Sequence, residues 1–429
     1  ADCGSSNVAE IALAKELGMD VIVVDHHQQS LEIPKADAIL NCSFDNEDYP
    51  FKKFSAAGVS FKLVQALVKT VGDKLPAGFD KWLLDLVALS TVTDMMPLLG
   101  ENRILVTYGL VVMAKTRNIG LKQLMETANI DFKNLTAYQL GFVLGPRINA
   151  AGRMDHANGA FNLLTAVDEG EAKKLAVALQ QTNTERQAMT NKLVELAKQQ
   201  AEEQKDELVV VIKGDGWPVG IIGLIAGKIM ERYSKPVFVF TDHDTELTAS
   251  GRSPAVFNIM EAIETCKDLF SRFGGHPQAC GLTLKSKELL EEFIRRIRET
   301  VRGCLTMEKL QPVIKVEAEI TLTNINWQLM EHLTKLEPFG IGNPKPKFLI
   351  SKVKVMEARA VGQAQTHLRL AVRDGGLVKT GIGFGLAPLY MPLLRQDTEI
   401  DIVTELDANE WNGNKELQLK INDLKLCGS

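Results

Sequence analysis

The sequence has no two cysteines at C-x-x-C spacing, no apolar run long enough to cross a membrane and no excess of positive charge. Its six cysteines are scattered without a C-x-x-C pair, which argues against a disulfide framework and against a thiolate zinc site. No apolar run approaches the roughly 20 residues that a membrane span needs, and no secretory signal peptide is visible. We therefore predict a cytoplasmic protein with no membrane partner.

Composition sets further bounds on the class of protein. With 45% hydrophobic and 24% charged residues, the chain resembles an ordinary globular protein. Its 429 residues are enough for several domains. The net charge of -5 gives no global sign of a nucleic-acid partner, so such a partner has to be argued from local charge.

The order of predicted elements divides the chain into four parts. Residues 1–165 show the strand–helix–strand rhythm of an α/β sheet. Residues 166–205 are rich in Lys, Glu, Gln and Ala, which predicts one long, mostly polar helix that connects two domains. A second α/β domain follows at 206–305, and short alternating strands at 306–429 predict a small antiparallel barrel or sandwich. The predicted fold class is therefore α/β with a C-terminal β-barrel.

Three polar residues directly follow a buried strand predicted at Val21–Val24: Asp25, His26 and His27. In a parallel α/β sheet, ligands bind off the carboxyl ends of the strands. A carboxylate beside imidazoles suits Mn²⁺, Fe²⁺ or Zn²⁺. The alternative is that Asp25 caps a turn and the histidines are ordinary polar loop residues.

Two further acids occupy similar positions. Asp2 precedes Cys3-Gly4 and a predicted helix, and Asp94 ends the string T-V-T-D after an apolar helix. Acids and imidazoles from separate chain segments are what a two-metal site needs, with the ions about 4 Å apart. Such a site activates water and clamps phosphoryl oxygens.

A strand followed by D-H-H, with D-C-G upstream and T-x-x-D downstream, resembles the DHH phosphoesterase superfamily. The resemblance implies that Asp2 bridges two metals and that His26 and Asp94 bind one of them. It also implies that His27 faces the scissile phosphate. Asp25 would then hold the histidines in place without contacting the metal, or bind metal itself.

The sequence departs from the superfamily in one respect. Members open with an acidic D-x-D-A-D-G motif whose acids hold the other metal, and that motif is not found in these 429 residues. We expect the natural chain to start further upstream, with a degenerate family member as the alternative. The metal site within these 429 residues is then incomplete. We predict that the 429-residue chain binds single strands but cleaves them weakly or not at all.

A second motif, Gly145–Arg153, reads G-P-R-I-N-A-A-G-R. Glycines let a backbone approach a ligand closely. The guanidinium group of arginine is well suited to phosphate because it can donate two parallel hydrogen bonds. The alternative is a glycine-rich loop whose arginines pair with surface acids. The string matches a signature of the RecJ exonucleases within the superfamily, and S-A-A-G-V at 55–59 is also similar to them. The resemblance implies substrate contacts for Arg147, Asn149 and Arg153.

A third pair of motifs is S-G-R-S at 250–253 and G-G-H at 274–276, which we predict to be a tight turn. Backbone amides, hydroxyls and arginine suit a phosphate group, although glycine-rich turns alone are weak signals. The pair is similar to the DHH-associated domain that follows the catalytic domain in RecJ and related nucleases. The substrate-binding residues implied there are Ser250, Arg252, Ser253, Gly274, Gly275 and His276.

The predicted C-terminal barrel carries local positive charge. Between Lys345 and Lys379 there are eight Lys or Arg and two acids, a local charge of +6. Phe348, His367 and Phe384 are predicted stacking surfaces. A basic groove with aromatic platforms is typical of single-strand binding without base readout. The alternative is that these basic residues form an ordinary solvent-exposed surface that binds no ligand.

The segment E-P-F-G-I-G-N-P at 337–344 resembles the RecJ segment that leads into an oligonucleotide-binding (OB) fold, so the resemblance covers essentially the whole chain. It implies 5′-to-3′ hydrolysis of single-stranded DNA by two-metal catalysis with Mn²⁺ or Mg²⁺, in repair and recombination. We predict a monomer whose partner is single-stranded DNA, with a single-strand-binding protein and a helicase as candidate protein partners. The alternatives are another phosphodiesterase of the superfamily, such as an oligoribonuclease, and a non-catalytic strand-binding relative.

Overall fold

The computed structural model of the chain consists of two compact units. Unit 1 combines Ala1–Val112 with Ile314–Ser429, and unit 2 is Met113–Val313. The residues that the structure describes are 1–29, 32–154, 157–243, 246–411 and 414–427. None of the described helices combines the length and the apolar character that a membrane crossing requires.

The first part of unit 1 is a small α/β layer. In chain order its elements are α1 (Val8–Glu16), β1 (Ile22–Val24), β2 (Ala38–Leu40), α2 (Ala56–Val71), α3 (Leu84–Thr93) and α4 (Gly100–Met113). β1 and β2 pair in parallel, and Val23 and Val24 of β1 are buried. Val24 packs into a core with Phe54 and Val59. This packing fixes the carboxyl end of β1, where the D-H-H residues begin.

Unit 2 opens with helices. They are α5 (Ile119–Thr127), a π-helical segment (Gln139–Leu144), α6 (Gly145–Met154), α7 (Asn158–Thr165) and α8 (Glu169–Glu202). The predicted long helix is confirmed as α8, which has 34 residues and begins at Asp168, whose side chain accepts a hydrogen bond from Glu171 N. The helix is mostly polar, as expected, but one of its faces is buried. A buried stripe lets α8 pack against α5, α6 and α7, and it includes Ala172, Ala176, Leu179, Leu193, Val194 and Ala197.

The second half of unit 2 is a five-stranded mixed sheet. Its elements are β3 (Val210–Lys213), α9 (Val219–Tyr233), β4 (Val237–His243), β5 (Glu246–Arg252), α10 (Ile259–Glu264), β6 (Phe270–His276), β7 (Ala279–Leu284) and α11 (Leu290–Cys304). The strand order is β3-β4-β5-β7-β6, with β3 and β4 parallel and the other pairs antiparallel. α8 and α9 cover one face of the sheet, and α10 and α11 cover the other.

The second part of unit 1 is a barrel. Its elements are β8 (Ala318–Glu319), α12 (Trp327–Thr334), β9 (Phe348–Val361), β10 (His367–Asp374), β11 (Leu377–Gly383), α13 (Ala387–Tyr390), β12 (Glu399–Trp411) and β13 (Asn414–Leu426). The pairings β9-β10-β11-β13-β12 return to β9, so five strands close the barrel that the sequence predicts. Phe348 lies inside the barrel with 6% of its surface exposed, so the prediction that it offers a stacking surface is wrong.

The core of unit 2 yields a stability prediction. Phe293 is fully buried, and its ring lies 5.2 and 5.3 Å from the rings of Phe238 and Phe240. Phe293→Ala leaves a cavity among these rings, so we expect a loss of about 3–5 kcal/mol in the free energy of unfolding, measured with urea. The matched control is Phe161→Ala, because Phe161 is 65% exposed and should change stability little. A small effect at Phe293 would show that this core repacks.

Candidate metal centre and arginine cluster

The D-H-H residues extend β1 into a loop at the carboxyl end of the strand. His26 Nε2 lies 3.3 Å from Asp2 Oδ1 and 3.4 Å from Asp94 Oδ2. One ligand atom each from Asp2, His26 and His27 lies within 4.8 Å of the others. The structure thus brings together residues from three distant chain segments, as the sequence predicts for the metal ligands.

The orientation of His26 follows from its second ring nitrogen. Its Nδ1 lies 3.1 Å from the carbonyl oxygen of Phe54. A carbonyl can only accept, so Nδ1 donates this hydrogen bond, and Nε2 is the ring nitrogen that faces the two carboxylates. A metal-binding histidine commonly donates its other nitrogen in this way. The donor set of carboxylates and imidazole therefore fits a divalent cation.

Asp2 is positioned by the backbone of β1. Its N–H donates to Val24 O at 2.8 Å, which sets the D-C-G segment beside the strand. Gly4 has a φ of +116°, and a Cβ there would lie 2.9 Å from Val23 Cγ1. Only glycine can adopt that conformation so close to β1 without strain. The glycine of D-C-G is therefore what allows Asp2 to reach the histidine.

Asp94 is the residue at which α3 ends. Its N–H donates to Ser90 O at 2.9 Å, and the next residue, Met95, turns the chain with a φ of +57°. The start of α2 adjoins this helix, because Ser55 caps α2 and its hydroxyl lies 3.4 Å from that of Thr91. The S-A-A-G-V segment therefore supports the site rather than contributing a ligand.

Asp25 is almost completely buried beneath the two histidines. Its carboxylate accepts hydrogen bonds from Ser5 N at 2.9 Å, His26 N at 2.8 Å and His27 Nδ1 at 2.7 Å. Burial alone would raise the pKa of Asp25, but the hydrogen bonds from His27, Ser5 and His26 outweigh burial and hold the pKa well below its ordinary value. Asp25 is thus an ionised support for the histidines.

His27 is half exposed, and its hydrogen bond to Asp25 leaves Nε2 available. The two imidazole rings lie 4.6 Å apart and are tilted at 59°. With Nδ1 held by a carboxylate, Nε2 can accept a proton or, when protonated, donate to an oxygen of a bound anion.

Asn41 and Ser43 hold the D-H-H loop from the far side, which the sequence analysis missed. Asn41 Nδ2 donates to His27 O at 2.9 Å, and Ser43 Oγ donates to His26 O at 3.0 Å. Both residues closely follow β2, the strand parallel to β1. The available signal was a second short apolar run, Ala38–Leu40, followed by polar residues.

In unit 2, the G-P-R-I-N-A-A-G-R segment forms the helix α6, so the alternative of a glycine-rich loop is wrong. Arg147 Nε donates to Gln180 Oε1 at 2.7 Å, and Arg147 Nη1 donates to Val143 O at 2.6 Å. Asn149 is exposed on the same helix. The fold places Arg147 against α8, since the buried stripe of α8 packs on α6.

Arg153 lies near two other guanidinium groups. Its Nη1 donates to Gly220 O at 3.1 Å. Burial lowers the pKa of Arg186 on α8, and the charge of Arg153 lowers it further. Burial also lowers the pKa of Arg252 on β5, and Arg153 adds to that effect. The three groups therefore form an arginine cluster, for which no ion pair with a carboxylate is found among the described residues.

Arg186 is a member of this cluster that the sequence analysis missed. It is 9% exposed, and Asn183 Oδ1 accepts a hydrogen bond from its Nη2 at 2.9 Å. The signal was present in α8, where Asn183 and Arg186 fall on the stripe that elsewhere carries alanine and leucine. A charged residue on an otherwise apolar helix face indicates a buried polar contact.

The S-G-R-S motif ends β5 as predicted, and its residues differ in accessibility. Arg252 Nη1 donates to Ser250 Oγ at 3.0 Å. Gly223 of α9 lies over this pair, since a Cβ there would come within 2.9 Å of Arg252 Nη2. Ser253 is buried, and its hydroxyl donates to Phe257 O at 2.6 Å. The hydroxyl of Ser253 thus bonds within the fold.

The G-G-H residues lie at the end of strand β6, so the prediction of a tight turn at these residues is wrong. Gly274, Gly275 and His276 pair with β7 in antiparallel register. Gly275 has a φ of +151°, and a Cβ there would lie 2.2 Å from Ala279 O. Glycine is needed at this point because the neighbouring strand approaches so closely. His276 is exposed at the strand end.

The outer face of the barrel carries a basic and aromatic patch, which we call the barrel patch: His367, Phe384, Arg359 and Arg369. The rings of His367 and Phe384 lie 5.2 Å apart at 70°, and Phe384 is 57% exposed. Arg359 and Arg369 are direct cross-strand partners on β9 and β10. Arg359 also forms an ion pair with Glu357 at 2.9 Å, while Arg369 is exposed on the neighbouring strand.

Three protein-family models match the chain. They are the DHH family N-terminal domain at residues 1–91, the DHHA1 domain at 206–303 and the RecJ OB domain at 316–423. The single-stranded-DNA-specific exonuclease RecJ of Bacillus subtilis is 35% identical over 98% of this chain. The chain spans about half (53%) of the length of that relative.

Two further relatives extend the comparison. The single-stranded-DNA-specific exonuclease RecJ of Salmonella typhimurium is 34% identical over 99% of this chain and 76% of its own length. The crystal structure of RecJ in complex with Mn²⁺ from Thermus thermophilus matches with a TM-score of 0.86 and 29% identity, over 100% of this chain and 61% of that one. With three matching domain models and this level of identity, the chain belongs to the RecJ family.

Proposed function

We propose that this chain contains the catalytic and strand-binding parts of a metal-dependent exonuclease. It hydrolyses phosphodiester bonds of single-stranded DNA in the 5′-to-3′ direction, in DNA repair and recombination. The observation that carries the proposal is the convergence of Asp2 and Asp94 on His26 Nε2, at 3.3 and 3.4 Å. Relatives named single-stranded-DNA-specific exonucleases support the substrate.

The cofactor in this proposal is Mn²⁺ or Mg²⁺, held by Asp2, His26 and Asp94. Related RecJ structures were solved with each of these ions, and the oxygen-rich donor set suits both. When bound, divalent ions activate water and neutralise charge on phosphoryl oxygens. Asp25 keeps the ring of His27 oriented, the Phe54 carbonyl keeps the ring of His26 oriented, and His27 Nε2 is the atom that faces the phosphate.

The arginines of unit 2 support a role in holding the DNA backbone. Arg147 and Arg153 project from the helix α6 and Arg252 from the end of β5, and guanidinium is suited to phosphate oxygens. Asn149, Ser250 and the exposed G-G-H residues are further candidates for these contacts. Ser253 is a weaker candidate, because its hydroxyl already bonds to Phe257 O.

The barrel patch supports strand binding of a different kind. Bases stack on exposed aromatic rings such as that of Phe384, while Arg359 and Arg369 attract phosphates. We also propose the domain limits 1–165, 166–205, 206–305 and 306–429, a cytoplasmic location and a monomeric state. A single-strand-binding protein and a helicase are the protein partners that the proposal includes.

The substrate proposal is tested by digestion assays on the full-length gene product. With Mn²⁺ or Mg²⁺, we expect release of mononucleotides from the 5′ end of a labelled single strand, and resistance of the blunt duplex of the same sequence. Faster hydrolysis of dinucleotides than of long strands would indicate another phosphodiesterase of the superfamily. Strand binding without any hydrolysis, in either metal, would indicate a non-catalytic relative.

The metal proposal is tested by Mn²⁺ binding, measured by electron paramagnetic resonance of the free ion. We expect His26→Ala to weaken Mn²⁺ binding at least about tenfold, because the central nitrogen of the donor set is lost. His332→Ala is the matched control, since His332 is exposed on α12, and it should bind Mn²⁺ like the wild type. Equal affinity of the His26 variant would rule out this centre.

The barrel-patch proposal is tested by the salt dependence of strand binding. Arg369→Ala should weaken binding of a poly-dT strand about three- to tenfold and reduce the slope of log K against log salt by about one. Arg302→Ala is the control, because Arg302 lies outside the barrel, in unit 2, where it forms an ion pair with Glu207. An unchanged slope for the Arg369 variant would mean that this face does not contact phosphates.

A further inference from the structure

A buried asparagine at the start of α4, Asn102, joins two loops that carry residues of the metal centre. Its Nδ2 donates to Lys53 O at 2.5 Å and to Pro97 O at 3.1 Å. The residue is fully buried, with 0% of its surface exposed. One side-chain amide therefore ties together two backbone segments that are more than forty residues apart in the chain.

The first of these segments supports His26. Lys53 precedes Phe54, whose carbonyl oxygen accepts the hydrogen bond from His26 Nδ1. Ser55 follows and caps α2, so the backbone from Lys53 to Ser55 turns into the helix at this point. A shift of Lys53 O would move the Phe54 carbonyl, and with it the direction in which His26 Nε2 points.

The second segment supports Asp94. Pro97 lies three residues after Asp94, on the short connection from α3 to α4. On its other side, the connection is held by Leu98 N, which donates to Ile341 O at 2.7 Å. A Cβ on Gly340 would lie 2.6 Å from Leu98 Cδ1, so the contact is close. Asn102 therefore links the connection between α3 and α4 to the backbone segment that holds His26.

The chemistry of the two partners explains why the residue is an asparagine. Both partners are carbonyl oxygens, which only accept, so the side chain must offer two donors from one nitrogen. Asn102 Oδ1 is also buried and has no hydrogen-bond partner among the described residues. A buried acceptor without a partner costs free energy of folding, which offsets part of what the two donated hydrogen bonds contribute.

We propose that Asn102 is a positioning residue of the metal centre, which fixes the separation of His26 Nε2 and the Asp94 carboxylate by clamping their supporting loops. The inference rests on the proposed metal site and adds a residue that binds no ion itself. Its function is the relative placement of two ligands, so its loss should change metal affinity.

The test is Asn102→Asp, which keeps the size of the side chain but places carboxylate oxygens against both carbonyls. We expect the apparent Kd of the full-length gene product for Mn²⁺ to rise about tenfold or more, as for other supports of metal ligands. We also expect hydrolysis of a single strand to need correspondingly more Mn²⁺ and to recover at saturating metal. Recovery by excess Mn²⁺ distinguishes a displaced ligand from a damaged fold.

The matched control is Asn118→Asp in unit 2. Asn118 Nδ2 donates to Leu164 O at 2.8 Å, and Asn118 Oδ1 accepts from Leu121 N, so the same substitution removes one side-chain donor from another backbone carbonyl. This variant should lower the thermal unfolding temperature without changing Mn²⁺ affinity. The control therefore measures the effect of lost stability by itself.

The outcomes separate the two proposals. If the wild type does not bind Mn²⁺, the proposed metal centre is wrong. If the wild type binds Mn²⁺ and Asn102→Asp binds it equally well, or if Asn118→Asp weakens binding as much, the positioning role is overturned. Should Asn102→Asp fail to fold, Asn102→Ser, which keeps only one donor, is measured against the same criterion.

Discussion

The buried carboxylate of Asp25 fixes the loop on which the metal centre depends. It accepts hydrogen bonds from Ser5 N, from the backbone of His26 and from the ring of His27. A buried carboxylate is tolerated only when its oxygens are satisfied, so these bonds hold the loop in one arrangement. In that arrangement His26 Nε2 faces the other acids, while His27 keeps one nitrogen exposed. The geometry of the loop is thus a consequence of one desolvated charge, while the carbonyl of Phe54 orients the ring of His26.

The part of the centre that the sequence predicts is the part governed by local pattern. A β-branched run followed by D-H-H indicates polar residues at a strand end, and D-C-G contains the glycine that a close approach to β1 requires. The supports of the loop come from elsewhere in the chain. Asn41 and Ser43 are ordinary loop residues by sequence, and nothing local indicates which carbonyls they bind. Such contacts become visible only when β2 is placed beside β1.

Glycine is the main source of error in the predicted elements. In G-P-R-I-N-A-A-G-R the glycines suggest a loop, whereas the segment is the helix α6, whose alanines pack inside unit 2. In G-G-H they suggest a turn, whereas β7 approaches too closely for a side chain at Gly275. Within β11, Gly381 interrupts the apolar pattern of the strand, and there too a neighbouring residue, Leu419, leaves no room for a Cβ. Glycine marks both chain flexibility and close packing, and only the tertiary structure distinguishes them.

The arginine cluster of unit 2 shows how a fold can store an unbalanced charge. Arg153, Arg186 and Arg252 come from a helix, a second helix and a strand end, and burial lowers the pKa of each. Within the part of the chain that the structure describes, the hydrogen bonds that they donate go to neutral oxygens of Gly220, Asn183, Ser250 and Gly251. Partly desolvated cations that lie near one another raise the free energy of the folded chain, since neutral acceptors do not cancel their mutual repulsion. An anion bound among these groups would remove that repulsion, and this physical argument underlies our proposal that Arg153 and Arg252 contact phosphate oxygens.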